Sequence, residues 1–299
     1  MSAVLSNGVE MPTICFGTGI VHCFDPSKKY YISQFYKAEA RSAYVEDRKL
    51  RKAINVLMNN ASEVVMFDTS RAYGAAEIVL GNELKKYDRQ KYFIVTKLSC
   101  TGQYNGDIRG AFESSLQRMG VEYVDLYLIH WPVTGIYLNS WKEIEKLYKE
   151  GKCRAIGVSN FNIHHLEEIR KVADILPMVN EIECHPLFTQ NVLREYCNLN
   201  RIQVMAYTST ARMDERLFIT ELVEIAEKYK KTVAQVMLKW HQQIGNVPIV
   251  NSTNPKHIIE NLMINDFSLS DSEIKKILEI NINSRLRYDP DNCDFRQLG

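Results

Sequence analysis

Eight short apolar runs recur along the chain, at residues 14–17, 64–68, 93–97, 126–130, 155–158, 178–183, 204–207 and 247–250. Most are continuous in apolar residues rather than alternating, as expected of strands buried on both faces in a parallel sheet. Longer segments with a 3.6-residue period lie between them. Residues 108–118 place Ile108, Phe112 and Leu116 on one face with Met119 just beyond. Residues 137–150 do the same with Trp141, Ile144, Leu147 and Tyr148, and residues 221–230 with Leu222, Ile225 and Ala226. Eight strand–helix units in one chain predict an α/β fold, a (β/α)8 TIM barrel, with a doubly wound open sheet as the competing architecture. The length of 299 residues suits a single barrel domain over 1–299. Residues 5–10 carry an Asn7-Gly8 turn signal, which predicts a short N-terminal β-hairpin ahead of the barrel. A helix near 46–58 follows an insertion at about 21–45, and residues 21–44 hold six Tyr or Phe. Such aromatic content in a long loop after the first strand predicts a cover for the active-site face, with contacts from Phe24, Tyr30, Tyr31 or Phe35; an interface or a scaffold helix is the competing role.

Composition excludes several classes. Lys plus Arg number 37 against 36 Asp plus Glu, a balance that gives no reason to expect nucleic acid or an anionic membrane surface. No apolar run reaches the roughly 18–20 residues of a membrane helix, and the N-terminus lacks the basic and apolar segments of a secretory signal. The seven Cys are scattered without a CxxC pair, which predicts reduced thiols, mostly in the core, in a cytoplasmic protein. His164 and His165 are adjacent and no His/Cys/Asp cluster has ligand spacing along the chain, so no metal site is expected.

In such a barrel, polar residues at the C-terminal ends of strands face the active site. The second run ends at Asp68, with Tyr73 in the loop beyond; the third ends at Lys97 and the fourth at His130. Alone, each has a dull explanation as a helix cap or a packing residue. Together at one end they form a proton donor for an oxyanion. A phenol normally titrates near pH 10, and a neighbouring ammonium lowers that value. Asp68 would hold Lys97 charged, and a neutral His130 would orient a carbonyl toward Tyr73. None of the four supplies a hydride, so the set requires a nicotinamide cofactor.

The segments Phe16-Gly17-Thr18-Gly19, FDTSRAYG (67–74), IVTKLS (94–99), LQRMGVEYVDLYLIHWP (116–132), KCRAIGVSNFN (152–162), NEIECHP (180–186), VMAYTS (204–209) and YDPDNCDF (288–295) resemble the aldo-keto reductases over almost the whole chain. The resemblance implies extra helices around the barrel, a catalytic tetrad of Asp68, Tyr73, Lys97 and His130, and reduction of an aldehyde or ketone to an alcohol, or the reverse. It also implies that Ser159, Asn160 and residue 181 hold the carboxamide of NADP(H) or NAD(H). Tyr207 would stack on the nicotinamide, and Thr18 and Asp68 would line its ribose. Two departures stand out. Glu181 replaces the usual Gln, so the carboxamide contact changes or Glu181 is protonated. Asn251 and His257 replace a Lys and an Arg that bind the 2′-phosphate in most relatives, leaving Ser252, His257 and Asn261 to line the adenosine end. Weak discrimination for NADP(H) is therefore expected, with NAD(H) usable or even preferred, unless Lys256 or Arg212 compensates.

On the substrate side, Trp131 matches a pocket aromatic, and Gly19 and Ile20 stand where relatives often carry bulk, implying a wider pocket. The segment 208–216 is short, implying a loosely belted cofactor, and the chain ends soon after Phe295, implying little substrate selection from that side. The expected partner is a small carbonyl or alcohol substrate, in a monomer or small homo-oligomer. Two other functions fit the same fold and cofactor: a redox-neutral epimerisation or elimination, and a regulatory subunit with little turnover, the latter disfavoured by the complete tetrad.

Overall fold

The computed structural model describes residues 2–19 and 42–298. Most of the aromatic insertion, including Phe24, Tyr30, Tyr31 and Phe35, and also Ile20, lies outside the described residues. Two strands, β1 (Ser2–Val4) and β2 (Glu10–Pro12), form an antiparallel hairpin, and Gly8 takes φ +86° in its turn, a conformation that costs glycine little. The hairpin side chain Asn7 donates to the carbonyl of Arg154, near the start of the strand Cys153–Ser159. The hairpin thus sits at the N-terminal end of the barrel strands, opposite the chemistry.

Eight parallel strands then close a barrel: β3 (Cys15–Gly17), β4 (Val65–Asp68), β5 (Tyr92–Leu98), β6 (Val124–Ile129), β7 (Cys153–Ser159), β8 (Val179–Glu183), β9 (Gln203–Tyr207) and β10 (Val247–Val250). The open-sheet alternative is thereby excluded. Every residue of β4, β5, β6, β8 and β10 is buried, as the continuous apolar runs require. The helices wrap the outside, beginning with α1 (Ser42–Asn60), α2 (Ala76–Leu84), α3 (Cys100–Asn105), α4 (Ile108–Met119), α5 (Tyr137–Lys149) and α6 (Ile163–Val172). On α4 the buried face is Ile108, Phe112, Ser115 and Met119, so Leu116 lies one position off the predicted stripe. Cys15, Cys100, Cys153, Cys184 and Cys197 are free and buried, and Cys293 is free and half-buried.

Strand pairing sets the heights of the polar residues. Gly17 pairs with Asp68, Ser159 with Glu181, and Glu183 with Tyr207. The polar residues therefore emerge together at the C-terminal rim, where the barrel core gives way to loops.

His241 shows how firmly this core holds its polar groups. Its ring is fully buried; Nε2 lies 3.0 Å from the Ser209 carbonyl and Nδ1 lies 3.2 Å from Asn246 Nδ2. Both contacts are satisfied by a neutral ring that donates from Nε2. Burial outweighs the favourable Ser209 contact and holds the pKa down to about 3. The unfolded chain, titrating near 6.5, therefore binds more protons between pH 6.5 and 3, and His241 makes stability decline as pH falls through that window. The contribution lost between pH 7 and 5 is about 2 kcal/mol. Urea unfolding of His241→Gln should show a free energy that declines by about that much less than wild type over the same interval; parallel declines would refute the assignment.

Candidate active site

Asp68, the last residue of β4, and Lys97 in β5 are both buried, and the Lys97 ammonium donates to Asp68 Oδ1. It also donates to the Thr69 carbonyl at 3.2 Å and stands 3.4 Å from Glu181 Oε2. One cation thus serves two carboxyl groups. Burial lowers the Lys97 pKa, but Asp68 and Glu181 outweigh it and hold the ammonium charged. Burial raises Asp68, against the pull of Lys97, and burial with the Asp68 charge pushes Glu181 up to about 8. Two carboxylates around one ammonium in a water-poor site retain a proton between them. That proton belongs on Glu181, because Asp68 holds the direct ammonium contact while Glu181 stands farther off, raised by burial and by the Asp68 charge. The protonated form of Glu181, one of the two outcomes expected from the sequence, fits this arrangement.

Tyr73 follows β4 in the loop before α2, and its ring centre lies 5.3 Å from Lys97 Nζ. The sequence reading had the ammonium lowering the phenol's pKa. Lys97 does pull it down, but burial is the larger effect and the charges of Asp68 and Glu181 add to it, so the net direction is upward. Tyr73 is therefore a protonated phenol across the neutral range.

His130 follows β6 and meets the edge of Tyr73 with ring centres 5.7 Å apart. Its Nδ1 is 3.2 Å from Ser70 Oγ, and Ser70 Oγ itself accepts from the Ala72 amide at 3.1 Å. With Ser70 donating its own proton to Nδ1, the ring hydrogen sits on Nε2. Burial, then Lys97 and Arg287, hold the His130 pKa well below its ordinary value, so the ring is neutral.

A polar cradle lies beside this group. Asn160 adopts φ +66°, which Asn tolerates better than most residues. Its amide nitrogen Nδ2 donates to the His130 carbonyl at 2.9 Å and to Ser159 Oγ at 3.0 Å, and its Oδ1 accepts from the Tyr207 hydroxyl at 2.6 Å. Both Asn160 donors are in use. The accepting capacity of Asn160 Oδ1 and the Ser159 hydroxyl proton remain for a ligand carrying an amide. Thr18 donates to the Asp68 carbonyl from both its amide at 2.8 Å and its hydroxyl at 3.0 Å, tying β3 to β4 below the rim.

Other expectations change in detail. A Cβ on Gly19 would lie 3.3 Å from two carbons of the Tyr73 ring. The space freed by the missing side chain is taken up by that ring. Asn251 Nδ2 donates to the Gly19 carbonyl at 2.5 Å, so this side chain braces the segment after β3. Ser252 Oγ accepts from the Asn254 amide, His257 is exposed beside Asn254, and Asn261 is buried on the helix Pro255–Leu262. Lys256 is exposed and stands 3.8 Å from Glu260. The segment 208–216 leads through two single 3-10 turns, Ala211–Met213 and Glu215–Leu217, the second ending one residue beyond it.

The short C-terminal tail lies closer to the site than its length implied. Buried Glu183, at the end of β8, accepts from the amides of Leu286 at 2.6 Å and Arg287 at 3.1 Å, and its Oε1 is 2.9 Å from His185 Nε2. Beyond that anchor Tyr288 meets the edge of Trp131 at 6.5 Å between ring centres, and Trp131, Cys100, Val133 and Phe295 form a small buried cluster. The tail also brings Asp291 to His164 and His165, with Oδ1 at 3.2 and 3.6 Å from their Nε2 atoms, which lie 3.1 Å apart. Linear spacing gives no hint of this trio, since its third member is more than 120 residues away. His165 Nδ1 accepts from the Asn162 amide at 3.1 Å, which leaves its ring proton on Nε2, facing the carboxylate. The trio reads as a tie between α6 and the tail.

Ser70, Glu183 and Arg287 escaped the sequence reading. Glu183 had a signal: an acidic residue in a strand buried on both faces requires partners. The two amides it accepts fix the tail. Glu183→Gln replaces one acceptor with an opposing N–H group, and hydrogen exchange at the Leu286 and Arg287 amides should quicken about tenfold; unchanged protection would show that the tail is held elsewhere.

Comparison with known proteins agrees with this architecture. The Aldo/keto reductase family model matches residues 35–282. Glyoxal reductase of Bacillus subtilis is 40% identical over 293 residues, covering 97% of this chain and 96% of that protein. Methylglyoxal reductase DkgA of Escherichia coli is 38% identical over 232 residues, 75% of this chain and 82% of that one. An aldo-keto reductase from a Medee basin deep-sea metagenome superposes with a TM-score of 0.85 at 32% identity, covering 98% of this chain and all of the other. A Bombyx mori aldo-keto reductase in complex with NADP gives 0.84 at 26% identity, with 97% and 96% covered. The chain belongs to the aldo-keto reductase family.

Proposed function

We propose that this chain reduces a small aldehyde or ketone to the alcohol, or runs the reverse, with a nicotinamide dinucleotide as partner and Tyr73 as the proton donor. The observation that carries the reading is the pairing of a protonated phenol with a neutral imidazole beside one buried ammonium, all at one rim of the barrel. The bound nicotinamide supplies the hydride. Ser159 and Asn160 fit its carboxamide, since the first has an unused donor and the second a remaining acceptor. The raised pKa of Glu181 equips it to donate there as well.

In the reducing direction His130 Nε2 donates to the carbonyl oxygen and turns it toward Tyr73. Negative charge develops on that oxygen, and the Tyr73 proton moves to it as the charge appears. The phenolate left behind is stabilised by Lys97, which Asp68 keeps charged. Solvent then restores the phenol. Tyr73→Phe removes the proton and nothing else at the rim. Turnover of an aldehyde panel beginning with glyoxal and methylglyoxal, the compounds named in two relatives, should drop by 10²–10⁴-fold. Cofactor affinity by fluorescence titration should change by less than about threefold; retained turnover would move the proton donor elsewhere.

The adenosine end supports a permissive cofactor preference. Asn251 is engaged with the Gly19 carbonyl, and Asn251, Ser252 and Asn261 bring no charge to a 2′-phosphate. Lys256 is exposed and faces Glu260. The ratio of kcat/KM with NADPH to that with NADH should therefore stay below about a hundred, since a full pair of charge-assisted contacts exceeds that ratio. A larger ratio would mean that another cation binds the phosphate.

A further inference from the structure

We propose that Arg287 is the substrate-side anchor of this site, receiving an anionic group, carboxylate or phosphate, borne by the carbonyl compound. The inference rests on the carbonyl-reductase reading above and adds the class of substrate.

Its basis is where the tail is tied. The Arg287 amide is fixed to Glu183 at the end of β8, opposite Tyr207 in the strand pairing. The next residue, Tyr288, lies against Trp131, and Trp131 adjoins His130 at 6.3 Å between ring centres. Residue 287 thus lies between the end of β8 and the loop after β6, on the rim that also carries His130. Its side chain is half-buried, and among the described residues no carboxylate or carbonyl pairs with the guanidinium. The neighbouring arginines differ: Arg285 lies over the Phe188 ring at 4.6 Å, and Arg216 pairs with Asp214 at 2.7 Å. Glu183 does not serve as a counter-ion in contact with it, since its oxygens are turned to the tail amides and His185. The positive charge of Arg287 is felt at Tyr73, His130 and Tyr207, lowering the pKa of each, which places it in the field of the reacting groups. A half-buried guanidinium without an acidic partner among the described residues, its charge acting on Tyr73 and His130, is a fork for carboxylate or phosphate oxygens.

The test uses the cofactor-loaded enzyme with three aldehydes of one shape: 4-carboxybenzaldehyde, 4-formylphenyl phosphate and neutral 4-(hydroxymethyl)benzaldehyde. Wild type should favour one of the anionic compounds over the neutral one by tenfold or more in kcat/KM, through KM, and the better of the two identifies the anion. Arg287→Gln should bring that ratio near one, and Arg287→Lys should restore part of it. Equal losses on all three aldehydes, or an unchanged ratio, would overturn the proposal. Calorimetric titration with 4-(hydroxymethyl)benzoate supplies a second readout: binding tenfold or more tighter than that of neutral 1,4-benzenedimethanol, and loss of that margin in Arg287→Gln, are expected. If none of the aldehydes turns over, carbonyl reduction is what fails, and the calorimetric margin alone decides the anion site; no margin overturns it.

Discussion

The ammonium of Lys97 is the constraint around which the rim is organised. A charge buried this completely is tolerated only when its surroundings replace the water it has lost. The barrel does so with two carboxyl groups and a backbone carbonyl, drawn from β4, the loop after it and β8. Those strands lie on either side of β5 around the ring, and only a closed sheet brings them to one cation. The same shortage of water sets the state of each neighbour. It leaves a proton on one of the two acids, keeps His130 uncharged and holds the Tyr73 proton in place. A single desolvated environment therefore produces the set of protonation states from which the proposed proton transfer starts.

The C-terminal tail beside the rim is built differently. It contributes no barrel strand and is attached at discrete points: two amides on Glu183, aromatic contacts on Trp131, and Asp291 with the two histidines of α6. The barrel fixes the reacting groups by strand register, whereas the tail is positioned by side chains reaching out to it.

Much of this was legible in the sequence. Buried parallel strands require continuous apolar runs, so the eight runs could be counted, and Asp68, Lys97 and His130 stood out as the ionisable residues closing three of them. The pairing of Ser159 with Glu181 and the link from Asn160 to Tyr207 agree with the motifs that singled them out. The direction of the Tyr73 shift was not legible, because it is a balance between a cation that lowers the pKa and burial that raises it, and burial is not visible in a motif. Gly19 implied a wider pocket, and only coordinates show that the Tyr73 ring stands within 3.3 Å of where its Cβ would lie. Asp291 and the Arg287 amide meet partners far away in the chain, and linear spacing carries no such information.

Asn160 has a wider consequence. Its left-handed backbone and fully committed amide nitrogen mean that the cradle proposed for the nicotinamide is set by the fold itself. Conformational freedom that a mobile loop would surrender on association has been given up during folding instead. Recognition at this spot is then a matter of matching a rigid template, and affinity there reflects complementarity more than the ordering of the protein.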